Sequence, residues 1–357
     1  RFREDFITLG RLTAYQGLLP DITTESTPPV LGNARFERRL RPELVGGLLR
    51  YGAEIEGHIR PFETGGTSRD VARIGLSGMW QDSYLFGAGV IAEADAGLTL
   101  DAYDTFDDPV NEGFLARVQP KAMLTLRWPL IRSAASGGTD VLEPVAAIAW
   151  SESIGGTPVN EDGTRSELDS GNLFALSHFA GQDRMETGPR LAFGSTWTHS
   201  DPNGWSGRLT VGQIRRIEDP ADFSTTSGLS GLSSNWLIAG QIALPLGLTF
   251  DGRALLSEDG IFGKSEGRIG WTSRKLDLSA GYVWLDADPD EDRLQDIAEW
   301  AFDLDYRINR VWTLDLNGRY DLAADRPATA GATIGWNNEC VSVELSASRR
   351  YVYSTTV

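Results

Sequence analysis

The chain has 357 residues, with 50 acidic against 33 basic side chains and a formal net charge of −17. This balance argues against a nucleic-acid partner, because binding to phosphates requires clustered lysine and arginine. The single cysteine excludes a disulfide within the chain, and no apolar run approaches the roughly 18 residues of a membrane-spanning helix.

Residues 1–33 are predicted to form an irregular lead-in. The sequence Ser26-Thr27-Pro28-Pro29 within it is typical of a break between elements. The chain starts at Arg1 with no recognisable signal peptide, so we expect it to be a fragment or a processed piece of a longer protein.

From Ala34 onward the sequence reads as successive amphipathic strands. Between Trp312 and Tyr320, apolar and polar side chains alternate and therefore point to opposite faces of a strand. Strands are predicted over residues 34–41, 45–60, 71–82, 85–101, 114–129, 141–151, 189–200, 204–217, 234–244, 246–257, 262–273, 276–286, 297–308, 311–322, 329–338 and 340–353.

The connections between these strands differ in length. Some are short, whereas those over residues 102–111, 153–170, 218–230 and 286–296 are long and acidic. Short turns alternating with longer loops are typical of outer-membrane β-barrels. The sequence therefore predicts an all-β protein, an antiparallel transmembrane β-barrel meander of about 16 strands over residues 34–357.

Residues that could carry chemistry are few. His58, His178 and His199 are not spaced as metal ligands. The acidic run 286–292 has the carboxylates that calcium prefers but not the EF-hand pattern, so a solvated acidic loop is favoured. We predict no catalytic residue, cofactor or metal.

Several short motifs occur in a fixed order, each weak by itself. They are Gln119-Pro120, Leu142-Glu143-Pro144, Asn172-Leu173-Phe174, Phe179-Ala180-Gly181-Gln182-Asp183-Arg184, Arg190-Leu191-Ala192-Phe193-Gly194, Val211-Gly212-Gln213-Ile214, Arg319-Tyr320-Asp321 and Cys340. With these motifs the chain resembles the C-terminal barrel of the lipopolysaccharide (LPS)-assembly outer-membrane proteins, the LptD family. The resemblance is good over residues 110–357 and weak before them. Ala180 and Gln182 depart mildly from the family pattern, and Cys340-Val341 stands where the family often has two adjacent cysteines.

The resemblance implies that the protein inserts LPS into the outer leaflet of the Gram-negative outer membrane. It implies a plug lipoprotein of the LptE type and a periplasmic Lpt bridge, reached through an N-terminal jelly-roll domain outside this chain, besides contact with membrane lipid. Cys340 would pair with a cysteine of that periplasmic domain. The motif residues Leu142, Glu143, Pro144, Asn172, Leu173, Phe174, Gly181, Asp183, Arg184, Gly212 and Gln213 would have structural roles. About 16 strands do not complete the family's larger barrel, so we expect free edges.

Three other classes of protein were weighed. A general porin or passive channel has the same strand pattern and stays open as the alternative. An enzyme embedded in a barrel lacks a Ser/His arrangement. A soluble β-sandwich would have to bury charges such as Arg117 and Lys121 between its sheets.

Overall fold

The computed structural model describes residues 5–16, 29–60, 69–108, 110–111, 113–135, 137–162, 165–220 and 222–351. Apart from four single-turn 3₁₀ helices, its regular elements in this part of the chain are strands. In chain order these are β1 (Phe6–Ala14), β2 (Val30–Leu40), β3 (Leu48–Ile59), β4 (Asp70–Leu85), β5 (Ile91–Phe106), β6 (Gly113–Arg127), β7 (Leu130–Ser133), β8 (Thr139–Ser151), β9 (Ile154–Gly155), β10 (Gly188–Ser200), β11 (Ser206–Arg216), β12 (Trp236–Leu244), β13 (Leu248–Leu256), β14 (Phe262–Thr272), β15 (Leu276–Leu285), β16 (Ile297–Arg307), β17 (Trp312–Asp321), β18 (Arg326–Asn337) and β19 (Ser342–Arg350).

The strands pair in the order of the sequence, each antiparallel to its neighbour. This holds from β1 to β5 and from β11 to β19. Around β8 the pattern branches, because β8 pairs with β6, β7 and β10, and the short β9 pairs with β6. The predicted all-β antiparallel meander is confirmed. Within the described residues, no helix has the length and apolar character needed to cross a membrane.

Two sequence predictions need correction. The lead-in over residues 1–33 is not wholly irregular, because β1 lies within it and pairs with β2 along nine residues. There are 19 strands among the described residues rather than about 16, since β1, β7 and β9 were not predicted. The sequences of these three strands are short or alternate poorly, so they do not predict strands by themselves. Backbone hydrogen bonds to a neighbouring strand hold the segments in the extended conformation.

By its internal contacts the chain divides into two compact units. Unit 1 comprises Arg1–Leu126, Ala147–Thr164 and Leu176–Leu191, and unit 2 comprises Arg127–Ala146, Arg165–Ala175 and Ala192–Val357. Unit 2 contains the last strand, β19, which pairs with β18 and has all nine residues exposed. Among the described residues, β18 is the one strand whose register with β19 is seen, so β19 is a free edge of the kind that an incomplete barrel was expected to have.

Each unit has a sheet with one apolar and one polar face. In unit 2, Leu278, Leu304 and Leu316 lie in register across β15, β16 and β17, and so share one face. Asp277, Asp305 and Asp315 form the adjacent row on the opposite face. Successive residues point to opposite sides of a strand, so this arrangement confirms the alternation read from the sequence.

Because the strands are antiparallel, their connections alternate between the two ends of the sheet. In unit 2 the turns over residues 201–205, 245–247, 273–275, 308–311 and 338–341 lie at one end, which we call the short-turn end. The long connections over residues 217–235 and 286–296 lie at the opposite end, the long-loop end. Cys340 lies in a turn at the short-turn end, with its thiol free and exposed.

Candidate functional site: a connection folded onto the polar face

The long connection between β8 and β10 folds onto the polar face of the sheet. It spans residues 152–187 and includes β9 and most of the predicted motif residues. Its first and last parts belong to unit 1, and its middle part, 165–175, belongs to unit 2. The two sets of contacts are described separately.

In unit 1, two buried arginines of the polar face hold the connection. Arg117 donates to the backbone carbonyl of Asp183 at 2.6 Å and also to that of Gln182. Arg73 donates to the Gln182 side-chain oxygen at 2.9 Å. Both guanidinium groups also bind Asp101, at 3.0 Å from Arg73 and 3.1 Å from Arg117. Charged groups that are buried in this way are stable only when they are paired and hydrogen-bonded.

A second carboxylate stabilises the turn to which these arginines bind. Asp162 accepts hydrogen bonds from the backbone N–H groups of Gln182, at 2.5 Å, and Asp183, at 2.7 Å. A Cβ atom at Gly181 would lie 1.9 Å from Asp162 Cγ, so only glycine fits next to this carboxylate. Asp183 in turn accepts from the backbone N–H of Glu161 at 2.8 Å. Burial raises the pKa of the Asp183 carboxyl.

Glu161 joins this turn to the ends of β3 and β4. Its carboxylate binds Arg60 at 2.6 Å and Arg69 at 2.7 Å. Burial raises the pKa of Glu161, but the hydrogen bonds from Arg69 and Arg60 outweigh it and lower that pKa below its ordinary value. Arg69 also binds Asp108 at 2.6 Å. Hydrogen bonds from the Asn111 side chain and the Val110 N–H hold the pKa of Asp108 well below its usual range.

A set of buried side chains holds the end of the connection in place, just before β10. His178 Nδ1 lies 2.5 Å from Glu186 Oε2, and both side chains are 1% exposed. Ser151 donates its hydroxyl proton to the backbone carbonyl of Glu186 at 2.5 Å and lies 3.2 Å from an Arg190 nitrogen. The serine is therefore directed to a carbonyl and not to the histidine, which is not the geometry of an activated nucleophile.

In unit 2, the Asn172-Leu173-Phe174 motif forms a compact turn on the polar face. Asp169 accepts from the N–H groups of Gly171 and Asn172, at 2.6 and 2.9 Å, and the Asn172 amide donates to the Glu167 carbonyl at 2.6 Å. This turn directs Leu173 into the interior, where it is fully buried. Gly212, Leu237 and Leu255 face one another across β11 to β13. We use the term apolar cluster for the fully buried apolar side chains among the described residues of unit 2, which are Leu168, Leu173, Ile214, Leu229, Leu237 and Leu255.

The Val211-Gly212-Gln213-Ile214 motif provides the surface that receives Leu173. A Cβ atom at Gly212 would lie 2.4 Å from Leu173 Cδ2 and 2.7 Å from the Phe193 carbonyl oxygen. Glycine is thus required for the close approach of the leucine to β11. Gln213 is fully buried and donates to the Ser234 carbonyl at 2.9 Å. These contacts give both motifs a packing role.

An ion-pair cluster fixes the same turn to the wall. Glu167 binds Arg253 at 2.8 Å and also Lys264, and Arg253 binds Glu266 at 2.8 Å. Burial raises the pKa of Glu167, but its bonds to Lys264 and Arg253 outweigh that effect and lower its pKa. The connection is therefore tied to β13 and β14 by charge as well as by apolar packing.

The acidic run 286–292 is solvated for the most part, as its composition predicted, but Asp288 is an exception. Asp288 is 1% exposed and accepts hydrogen bonds from the Thr226 N–H at 3.0 Å and hydroxyl at 2.7 Å. Arg293 also donates to the Thr226 hydroxyl, at 2.6 Å. One aspartate of the run thus ties two long connections together. Within the part of the chain that the structure describes, no group of three or more His, Cys, Asp or Glu residues could hold a metal ion.

The remaining predicted residues lie apart from these clusters. Leu142 is on the apolar face and exposed, Glu143 binds Arg127 at 2.6 Å, and the Pro144 carbonyl accepts from Trp128 at 3.0 Å. Arg184 donates to the Pro158 carbonyl at 2.6 Å. Cys340 cannot form a disulfide within this chain, which has no second cysteine.

Sequence reasoning missed the central residues of the unit 1 cluster. Arg73, Asp101, Glu161 and Asp162 belong to no recognised motif. The one available signal was polar side chains at alternate positions of β5 and β6, which also fits a wetted surface. The contacts that distinguish the two cases come from a connection distant in sequence.

The sheet is antiparallel, with one apolar and one charged face. Its strands have about ten residues, and its short turns lie opposite its long connections. These features define the wall of an outer-membrane β-barrel protein. The chain belongs to the LptD family, LPS transport system D, whose family model matches residues 3–312. Membership of this transport family places the protein in the Gram-negative outer membrane.

Two solved structures are similar to this chain. The chain is 10% identical to the FrpB iron transporter from Neisseria meningitidis, with a TM-score of 0.43, over 97% of this chain and 65% of that one. It is 11% identical to the copper transporter OprC, with a TM-score of 0.32, over 87% of this chain and 57% of that one. The chain thus spans less than two thirds of either protein. No curated protein matches it.

Proposed function

We propose that this chain is part of the wall of an outer-membrane translocon that delivers LPS to the outer leaflet. The observation that carries the proposal is the match to the LPS transport family along residues 3–312. The two-faced sheet is consistent with it. The apolar face suits contact with lipid, and the polar face suits the saccharide part of an amphiphile while its acyl chains stay in the bilayer.

The connection between β8 and β10 would act as an internal support of this wall. Within unit 1 it is bound by Arg117 of β6, and within unit 2 it is bound by Arg253 of β13. The motif residues, among them Asn172, Leu173 and Gly212, would accordingly be structural. Energy for transport would come from other components, because the sequence has no phosphate-binding loop.

The partners belong to the same proposal. They are LPS itself, a plug lipoprotein of the LptE type, and a periplasmic Lpt bridge reached through a jelly-roll domain outside this chain. Cys340 would form its disulfide with that domain on the periplasmic side. Its exposed thiol and its position in a turn at the short-turn end favour this pairing, since such turns face the periplasm in outer-membrane barrels.

Depletion of the full-length protein in its host tests the proposal. Surface LPS and the uptake of small hydrophilic solutes should be measured in the same cells, with re-expression of the intact gene as the control. We expect surface LPS to fall while solute uptake does not fall. Normal surface LPS with a collapse of solute uptake would instead identify a porin or passive channel.

A further inference from the structure

A cavity of about 420 Å³ lies on the polar face of unit 2, over strands β11 to β16. Small residues, Ala239, Gly281 and Ala301, form part of its floor. Its volume is within the range of small-molecule sites in proteins. The rim is charged and consists of Arg208, Asp251, Arg253, Glu266, Arg268 and Glu299.

Strand register explains both the hollow and its rim. Arg208 faces Gln241, Gln241 faces Asp251 and Asp251 faces Arg268, so four polar side chains form one row across β11 to β14. The same row continues with Gly281 in β15 and then Ala301 in β16. The side chains therefore end abruptly, and the space beyond Arg268 is left open.

The connection between β8 and β10 contributes one residue to the lining of this cavity. Ser170 lines it, and Glu167, three residues earlier, is bound to Arg253 and Lys264. Arg253 also donates to the Leu168 carbonyl at 3.1 Å. The segment that contributes Ser170 is therefore held to β13 and β14.

Two guanidinium groups of the rim have unused hydrogen-bonding capacity. Among the described residues, the Arg208 guanidinium has no hydrogen-bond or ion-pair partner, and Arg268 donates to the Ser279 hydroxyl at 3.0 Å. Each guanidinium has five N–H donors in a planar fork that matches phosphate or carboxylate oxygens. Asp251 and Gln241 between them are hydrogen-bond acceptors, which suit hydroxyl groups. The three rim carboxylates oppose a ligand of high negative charge.

We propose that this cavity is a holding site for a saccharide with a phosphate or carboxylate group, in which Arg208 and Arg268 bind the anion and Gln241 and Asp251 bind sugar hydroxyls. The inference rests on the proposed function and adds the place on the polar face where the polar part of the substrate is held.

Binding of simple probes to the purified full-length protein tests the chemistry. The probes are N-acetylglucosamine 1-phosphate, N-acetylglucosamine and inorganic phosphate, measured by saturation-transfer NMR. We expect the phosphosugar to bind about tenfold more tightly than either fragment, and Arg208→Gln or Arg268→Gln to remove that advantage. Arg274→Gln, in the exposed turn before β15, should change nothing. Equal phosphosugar binding by the double variant R208Q/R268Q would overturn the proposal.

Crosslinking in cells separates this inference from the proposed function. A photoreactive p-benzoylphenylalanine replaces Gln241 in the cavity or, as a control, Thr333 on the polar face of β18. Heat-modifiable gel mobility shows that both variants fold. LPS adducts at position 241 support the holding site. Adducts at 333 alone overturn it and leave LPS transport standing, whereas adducts at neither position count against both.

Discussion

Arg117 of β6 donates a 2.6 Å hydrogen bond to the backbone carbonyl of Asp183, a residue 66 positions further along the chain. The same guanidinium binds Asp101, whose side chain is fully buried. A strand of the wall and the long connection thus share one buried cation, and the attachment of the connection depends on it.

Replacement of this arginine should release the connection. Arg117→Ala removes the bonds to two carbonyls and leaves Asp101 with Arg73 as its remaining guanidinium partner. Loss of one member of a buried ion pair costs about 3–5 kcal/mol. We expect a lower free energy of unfolding in denaturant titrations of the barrel in lipid vesicles, and faster proteolysis within residues 152–187.

Arg132→Gln is the matched control, because Arg132 binds Asp140 with a side chain that is 80% exposed. Exposed ion pairs contribute only about 0–1 kcal/mol. If the two variants were equally stable and equally resistant to protease, the connection would not depend on Arg117.

Gly181→Ala tests the turn that Arg117 grips. The new Cβ would overlap Asp162, whose carboxylate holds the N–H groups of Gln182 and Asp183. Asp162 must then move, and both hydrogen bonds are lost, at about 1 kcal/mol or more each. Hydrogen exchange at these two amides should accelerate. Gly78→Ala is the control, since nothing lies within 4 Å of the added atom, and it should leave exchange unchanged.

Much of the fold could be predicted from the sequence, but little of the candidate site. Alternation along β17 was sufficient to assign its two faces, because one side of each strand is apolar. The segment 172–186 does not alternate, and its partners, such as Arg73, are about a hundred residues away. No local pattern shows which residues of one wall will meet a distant connection. For the same reason the burial of Asp288 among the other acids of its run could not be predicted.

Leu173→Ala should destabilise the apolar cluster of unit 2. Leu173 is fully buried beside Gly212, and the truncation leaves a cavity that the rigid strands do not fill. Substitutions of this kind cost about 2–5 kcal/mol. The change is measured by denaturant unfolding. Leu44→Ala, at a fully exposed turn residue, should cost under about 0.5 kcal/mol. Similar losses in both variants would argue against a packed cluster.

Within unit 1, the attachment of the connection should weaken in acid through Asp108, which binds Arg69. The pKa of Asp108 is lowered in the folded protein by Asn111 and Val110, so its contribution is fully present above the unfolded pKa of about 4 and is lost as the pH falls through the folded value. The difference in free energy of unfolding between wild type and Asp108→Asn should be constant near neutral pH and shrink below about pH 4. A constant difference down to pH 2 would refute this linkage.

Asp183 has the opposite sign, because burial raises its pKa. Its contribution is present below the unfolded pKa and is lost as the pH rises through the folded value. The difference in free energy of unfolding between wild type and Asp183→Asn should therefore be smallest near neutral pH and should grow as the pH falls. The difference for Asp108→Asn changes with pH in the opposite direction.

The apolar face of unit 2 should tolerate charge far less than the polar face. Leu316 lies in register with Leu304 and Leu278, whereas its neighbour Asp315 lies opposite Asp305. Arginine on the lipid face of an outer-membrane strand costs about 2–4 kcal/mol near the midplane. Leu316→Arg should therefore lower the free energy of unfolding in lipid vesicles by that amount. Asp315→Asn should be tolerated, since it changes a polar side chain on the wetted face and relieves its repulsion with Asp305. Equal losses in the two variants would mean that the faces are not divided between lipid and water.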